Sequence, residues 1–255
     1  MMKMKHAVKQ EVFKLMKQHV ILKQTLKVSG LILLVALVTK FGNFEMLSPN
    51  KLVRTCFNSG WLIVFFMVYL ASQTFSMEFR FGTIKNLLQK NQQRRTIFFS
   101  KLITLVGYSI YLNVVAVVVT ISLSMILFPE VSLEQTEIIR TLFANLLGNF
   151  VGMWLFASLA LMISLIVTNE SLASMLGIAT YFLSSMLAGM QFILLDKFSW
   201  LRWNPLNMLN LSNQLINSGM EKLTQLATNQ LLIGNIVYIL GFLLIADVVF
   251  SRKKI

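Results

Sequence analysis

Between Ser76 and Lys101 the sequence reads SMEFRFGTIKNLLQKNQQRRTIFFSK, a basic interruption in which Arg80, Lys85, Lys90, Arg94, Arg95 and Lys101 accompany a single acid, Glu78. The chemistry open to such residues is electrostatic rather than covalent: ion pairing, attraction to anionic lipid, or docking on a partner protein. Elsewhere, chemistry-bearing residues are sparse. Asp247 is the one clear acid inside an apolar run, and its position near the end of that run predicts pairing with Arg252 or a neighbouring lysine rather than proton relay. His6 and His19 have no neighbouring cysteine and make a poor metal site. Cys56 is the only cysteine, so no internal disulfide can form. No glycine precedes Lys-Ser or Lys-Thr, so a phosphate-binding loop of that kind is absent and ATP would have to be bound elsewhere. The paired acids or histidines of an intramembrane hydrolase are missing too, which argues for a non-catalytic chain without a cofactor of its own.

The elements around this basic segment are strongly apolar. Of 255 residues, 56% are hydrophobic and 13% charged, against about 25% charged in ordinary soluble domains. Apolar runs near twenty residues recur between charged or turn-rich breaks, the length a helix needs to cross the hydrocarbon core. Because the runs are continuous and do not alternate, they predict helices rather than a barrel. The expected fold is therefore an all-α membrane protein, one transmembrane domain over residues 1–255. Its six spans run from Val20 to Phe41, Phe57 to Ser76, Leu102 to Phe128, Thr141 to Val167, Leu172 to Leu195 and Gln230 to Phe250.

Charge distribution sets the expected topology. Lys3, Lys5, Lys9, Lys14, Lys17, Lys23 and Lys27 precede or open the first span, six basic residues fill the segment after span two, and Arg252, Lys253 and Lys254 follow span six. Together these are sixteen of the 23 basic residues, and the remaining connections are nearly neutral. The positive-inside rule then puts both termini and the basic segment in the cytoplasm. The net charge of +13 is thereby a topological signal rather than a nucleic-acid one.

Val8, Val12, Leu15, His19, Leu22 and Leu26 recur at steps of four and three, predicting an amphipathic helix over residues 1–19 that lies in the interface and turns into span one. Two external loops, around GNFEMLSPNKLVR and PEVSLEQTEIIR, are short. The turn TNES is so tight that spans four and five must be antiparallel neighbours. Residues 196–229 are too long for a turn and too polar for a span, yet hold Trp200, Trp203 and several leucines. They predict short helices on the outer leaflet, or dipping into it from Pro205. Asn113, Asn145 and Asn149 suggest hydrogen bonds between helices, and Gly148 with Gly152 form a GxxxG pair that permits close helix packing.

Within the basic segment, taken as residues 77–101, Phe81, Ile84 and Leu88 share one helical stripe. Gly82 allows a sharp turn, and Thr83 is placed to cap a short helix. Such a helix can press its apolar side into a groove of a partner or lie on lipid. Glu78, Gly82, Thr83, Lys85, Leu87, Leu88, Arg94, Arg95 and Lys101, in the pattern E-x3-G-T-x-K-x-L-L-x5-R-R-x5-K, resemble the segment between spans two and three of ABC type-2 transporter permeases. The plan of interface helix, six spans, internal termini and external segment is similar as well. In length and style the chain looks like the small permeases of Gram-positive exporters of antimicrobial or amphipathic toxin peptides, including phenol-soluble-modulin exporters. The departure is KNQQRRT, where that family often has a proline before the arginine. The resemblance implies a bacterial cell-membrane protein whose residues Glu78 to Leu88 form a coupling helix. It further implies an ATPase subunit that binds ATP and Mg, a second permease copy or paralogue, and a peptide cargo moving through a lipid-facing pathway.

Overall fold

Continuous apolar runs can satisfy their backbone groups in lipid only within helices, and the computed structural model shows how they pack. It describes residues 2–42, 48–85, 93–131, 136–167 and 169–253, and no strand occurs among them. The N-terminal helix α1 spans Met2–Lys17, and α2 spans Val20–Phe41. The short α3, Pro49–Arg54, leads through a single turn, Cys56–Asn58, into α4, Gly60–Arg80. After the basic segment come two long helices, α5 over Arg94–Leu127 and α6 over Thr136–Ile166. Then α7 covers Glu170–Leu187 and α8 covers Gln191–Lys197. Four short pieces follow: a turn at Ser199–Trp203, α9 over Pro205–Met208, α10 over Leu211–Ile216 and α11 over Glu221–Thr224. The last helix, α12, is Thr228–Arg252.

Five of these helices, α2, α4, α5, α6 and α12, are long and apolar enough to cross a membrane, and a sixth crossing results if α7 and α8 act as one bent span. Their break is 63°, at Ala188 to Met190, so the span expected from Leu172 to Leu195 is bent. Of the two expected external loops, residues 43–47 and 132–135 lie outside the described residues, while Pro49–Arg54 forms α3 and residues 136–140 belong to α6.

Packing follows residue size. α6 is the hub, resting on α4, α7, α10 and α12, and Gly177 of α7 lets that helix approach Ala160 and Val68 closely. The expected antiparallel contact of spans four and five is thus present. The side chain of Asn169 caps α7 by accepting from the Leu172 N–H at 3.1 Å. At one end of the bundle, buried Phe75, Phe98 and Phe250 from α4, α5 and α12 cluster, with centroids of Phe75 and Phe250 at 4.9 Å.

α1 ends where His19 takes φ 54°, a left-handed residue between α1 and α2. The expected continuous stripe is therefore broken there. Ala7 is buried against the bundle, while Val12, Phe13, Met16, Leu22 and Leu26 face outward.

The segment after α8 penetrates the bundle rather than lying flat. A Cβ on Gly148 would strike the backbone of Ser212, and one on Gly234 would strike the Met208 side chain. Irregular backbone packed between helices needs internal partners, and side-chain amides supply them. Asn207 Nδ2 donates to the Arg202 and Thr224 carbonyls, Gln214 Nε2 to that of Leu226, and Asn235 Nδ2 to that of Met208. Gly148 therefore permits close packing, as expected, but against α10. A Cβ on Gly152 would meet nothing within 4 Å. Asn145 and Asn149 bond each other along α6, and Asn113 donates to the Ser109 carbonyl of its own helix, so the expected amide bridges between spans are not formed.

Candidate functional site

A helix that carries charge at its end must satisfy it where lipid and protein meet, and at the basic end of the bundle this is done by a cluster of four side chains. α4 brings Glu78 to its last turn, α5 brings Lys101 near its start, and one face of α1 brings Glu11 and Lys14. Lys101 Nζ donates to Glu78 Oε1 at 2.7 Å and to Glu11 Oε2 at 3.1 Å. Lys14 Nζ donates to the same Glu78 Oε1 at 2.7 Å and to Glu11 Oε1 at 3.0 Å. The Lys101 side chain is 1% exposed and that of Glu78 7%, so these charges are desolvated and depend on one another. Lys101 Nζ also sits 5.3 Å from the Phe75 ring centre. Around Glu11, burial alone would raise the carboxyl pKa, but Lys101 and Lys14 outweigh it and hold it below its usual value. Burial likewise opposes the Lys14 charge, and the two glutamates overcome it to raise that ammonium's pKa.

The segment that leaves this cluster is anchored on its other sides. Gly82 adopts φ 64°, the left-handed turn expected of it. Phe81, Gly82, Thr83 and Lys85 are exposed, whereas Ile84 is only 2% exposed. The stripe that was to face outward is thus split: Phe81 is available to a partner, and Ile84 seats the segment on its own bundle. Leu87, Leu88 and Lys90 lie outside the described residues, as does the end of the short helix. On the return, the Arg94 guanidinium donates to the carbonyls of Phe250, Ser251 and Lys253 at 3.1, 2.8 and 2.7 Å. A cation thereby closes the C-terminus of α12. Arg95 is exposed. Lys253 reaches the Leu165 carbonyl at the end of α6 and lies 4.4 Å over the Phe79 ring. Arg80 meets Glu170 of α7 at 2.9 Å.

Asp247 is not paired with Arg252 or Lys253, and its Oδ1 is buried without a hydrogen-bond partner among the described residues. Arg252 is exposed and Lys253 is engaged by α6, so the expected pairing is not made with either, and Lys254 lies outside the described residues.

Sequence reasoning singled out Glu78, Lys101 and Arg94 but treated Lys14 as a topological charge and gave Glu11 no role. The available signal was that Glu11 is the only acid among the N-terminal lysines, three residues before Lys14. No group of His, Cys, Asp or Glu able to hold a metal occurs among the described residues.

The fold and this cluster define a multi-pass α-helical membrane protein whose N-terminal helix, basic segment and C-terminus are tied together at one end. A family model described as Protein of unknown function (DUF2705) matches residues 20–255, and the chain belongs to that family. No curated protein matches the chain.

Proposed function

We propose that this chain is the transmembrane subunit of an ATP-driven exporter, moving amphipathic peptides such as antimicrobial or toxin peptides out of the cell membrane or cytoplasm. The observation that carries the reading is the rigid base of the basic segment. Glu78, Arg94 and Lys253 tie its two ends to α1, α5, α6 and α12, so a push on the exposed Phe81 reaches most of the helices. The motif around Gly82 and Thr83 supports it through its resemblance to a coupling helix. In this reading the basic end is cytoplasmic, a separate ATPase subunit binds ATP and Mg beneath it, and a second permease copy completes the pathway. Preferential binding of ATP to one state of that ATPase supplies the shift between conformations.

The exposed Phe81, with Arg80 lying 5.2 Å from its ring centre, also suits a helix resting on lipid. That favours a second reading as an ATP-independent carrier or membrane anchor. Gentle purification from the native host separates the two: the exporter reading expects an ATP-binding subunit in near-equal amount, released by Phe81→Asp. A chain that comes without ATPase, under conditions that preserve other transporter complexes, would sink the exporter reading.

A further inference from the structure

Beside the ionic cluster a pocket of about 330 Å³ opens between α1, α4 and α5. Its polar wall carries Glu11, Lys14, Gln73, Glu78 and Lys101, and its apolar wall includes Leu15, Leu70 and Leu105. Gln18, Tyr69 and Phe81 at its rim are exposed. The pocket lies on the side of α1 that faces α4 and α5, while the outward apolar residues Val12, Phe13 and Met16 lie on the opposite side of that helix.

The wall contains an unmet demand. Glu78 is 5% exposed, and both lysines converge on its Oε1, while Oε2 is buried with no partner among the described residues. A buried carboxylate oxygen in this state costs free energy until a donor reaches it. The four charges of the cluster cancel, so the pocket does not select a net anion. Lys14 uses two of its three N–H groups on Glu11 and Glu78, leaving one donor near the unpartnered acceptor. A free donor and a buried, unpartnered acceptor in the wall of an apolar slot match a zwitterionic headgroup whose chain lies on hydrocarbon-like side chains.

We infer that this pocket binds a phospholipid with a primary ammonium headgroup, the ammonium donating to Glu78 Oε2 and the phosphate accepting from Lys14. A lipid is favoured over the lysine of a peptide because the slot runs from the charged cluster at the end of α4 toward Leu70 and Leu105, within two helices apolar enough to cross a membrane. The bound lipid completes the hydrogen bonding of the residue that ties α4 to α5 and α1. This inference does not depend on the exporter reading.

The test is native mass spectrometry of the full chain, released from vesicles of phosphatidylethanolamine, phosphatidylcholine and phosphatidylglycerol in equal parts. Phosphatidylethanolamine should be retained about tenfold over phosphatidylcholine, which has the same phosphate but no N–H. Glu78→Gln should abolish the preference. Gln73→Phe, which fills the slot without touching the charged cluster, should abolish retention while the chain stays folded. Equal retention of phosphatidylcholine or phosphatidylglycerol overturns the assignment, as does a preference that survives Gln73→Phe. Displacement of the lipid by a lysine-containing amphipathic peptide at stoichiometric amounts would overturn it in favour of a peptide site.

Discussion

Glu78 at the end of α4 and Lys101 at the start of α5 meet at 2.7 Å across the base of the basic segment, although 23 residues separate them. Both are buried, so the pair is a fixed joint rather than a surface contact. Replacing Lys101 by Met should destabilise the protein by roughly 1–3 kcal/mol, since it takes from a buried carboxylate one of its two ammonium partners and leaves Lys14 alone to hold it. Replacing Glu78 by Leu at the same time should recover much of that loss. Thermal unfolding in detergent of the single and double variants measures this, and an additive double variant would contradict the joint.

α1 should be held by charge over a wide pH range. The Glu11 pKa is lowered on folding, so its contribution is full above the unfolded value near 4.5 and fades as pH falls toward the lower folded value. The Lys14 pKa is raised, so its contribution is full below 10.5 and fades only as pH climbs through the higher folded value. Protease cleavage within residues 2–17 should accordingly stay slow at neutral pH and accelerate below about pH 4.5. Glu11→Gln should remove that acid dependence.

Two glycines one helical turn apart should behave oppositely. At Gly148 a methyl group meets the backbone of Ser212, so Gly148→Ala should dislodge α10 and expose residues 196–229 to a membrane-impermeant label. At Gly152 the space is open, and Gly152→Ala should be neutral or stabilise α6 by up to about 1 kcal/mol.

The exposed tip and its seat should also separate. Phe81→Asp should leave the melting temperature nearly unchanged, because the ring is 63% exposed, and should act on binding, of a partner or of a molecule in the pocket it rims. Ile84→Asp should lower stability, because that side chain is buried. A Gly82→Ala change should cost about 1 kcal/mol through its left-handed backbone.

The helices α2, α4, α5, α6 and α12 were legible because apolar runs of span length admit few other structures. Hydropathy could not show the bend after Leu187, since Ala188 to Met190 are as apolar as their neighbours; only Gly189 marks it. Nor could it place the start of α5 at Arg94, eight residues before the apolar run, because a helix continues past the lipid wherever its backbone is satisfied. Glu78 was legible through the spacing around Gly82. Its partner Lys14 was not, because a lysine 64 residues away is chosen by tertiary packing, and among so many lysines its type carries no information. The burial of Ile84 was hidden for a related reason: an amphipathic stripe states that a face is covered, not what covers it.

The penetrating segment also orders the events of synthesis. A chain enters the membrane from its N-terminus, and residues 199–224 emerge before α12 exists. The Met208 carbonyl and side chain find Asn235 and the groove at Gly234 on α12. Until that last helix arrives, the segment must wait in the aqueous boundary, where water serves its backbone. Arg94 then finds the helix terminus it closes, and α12 seals the two ends of the bundle in a single step.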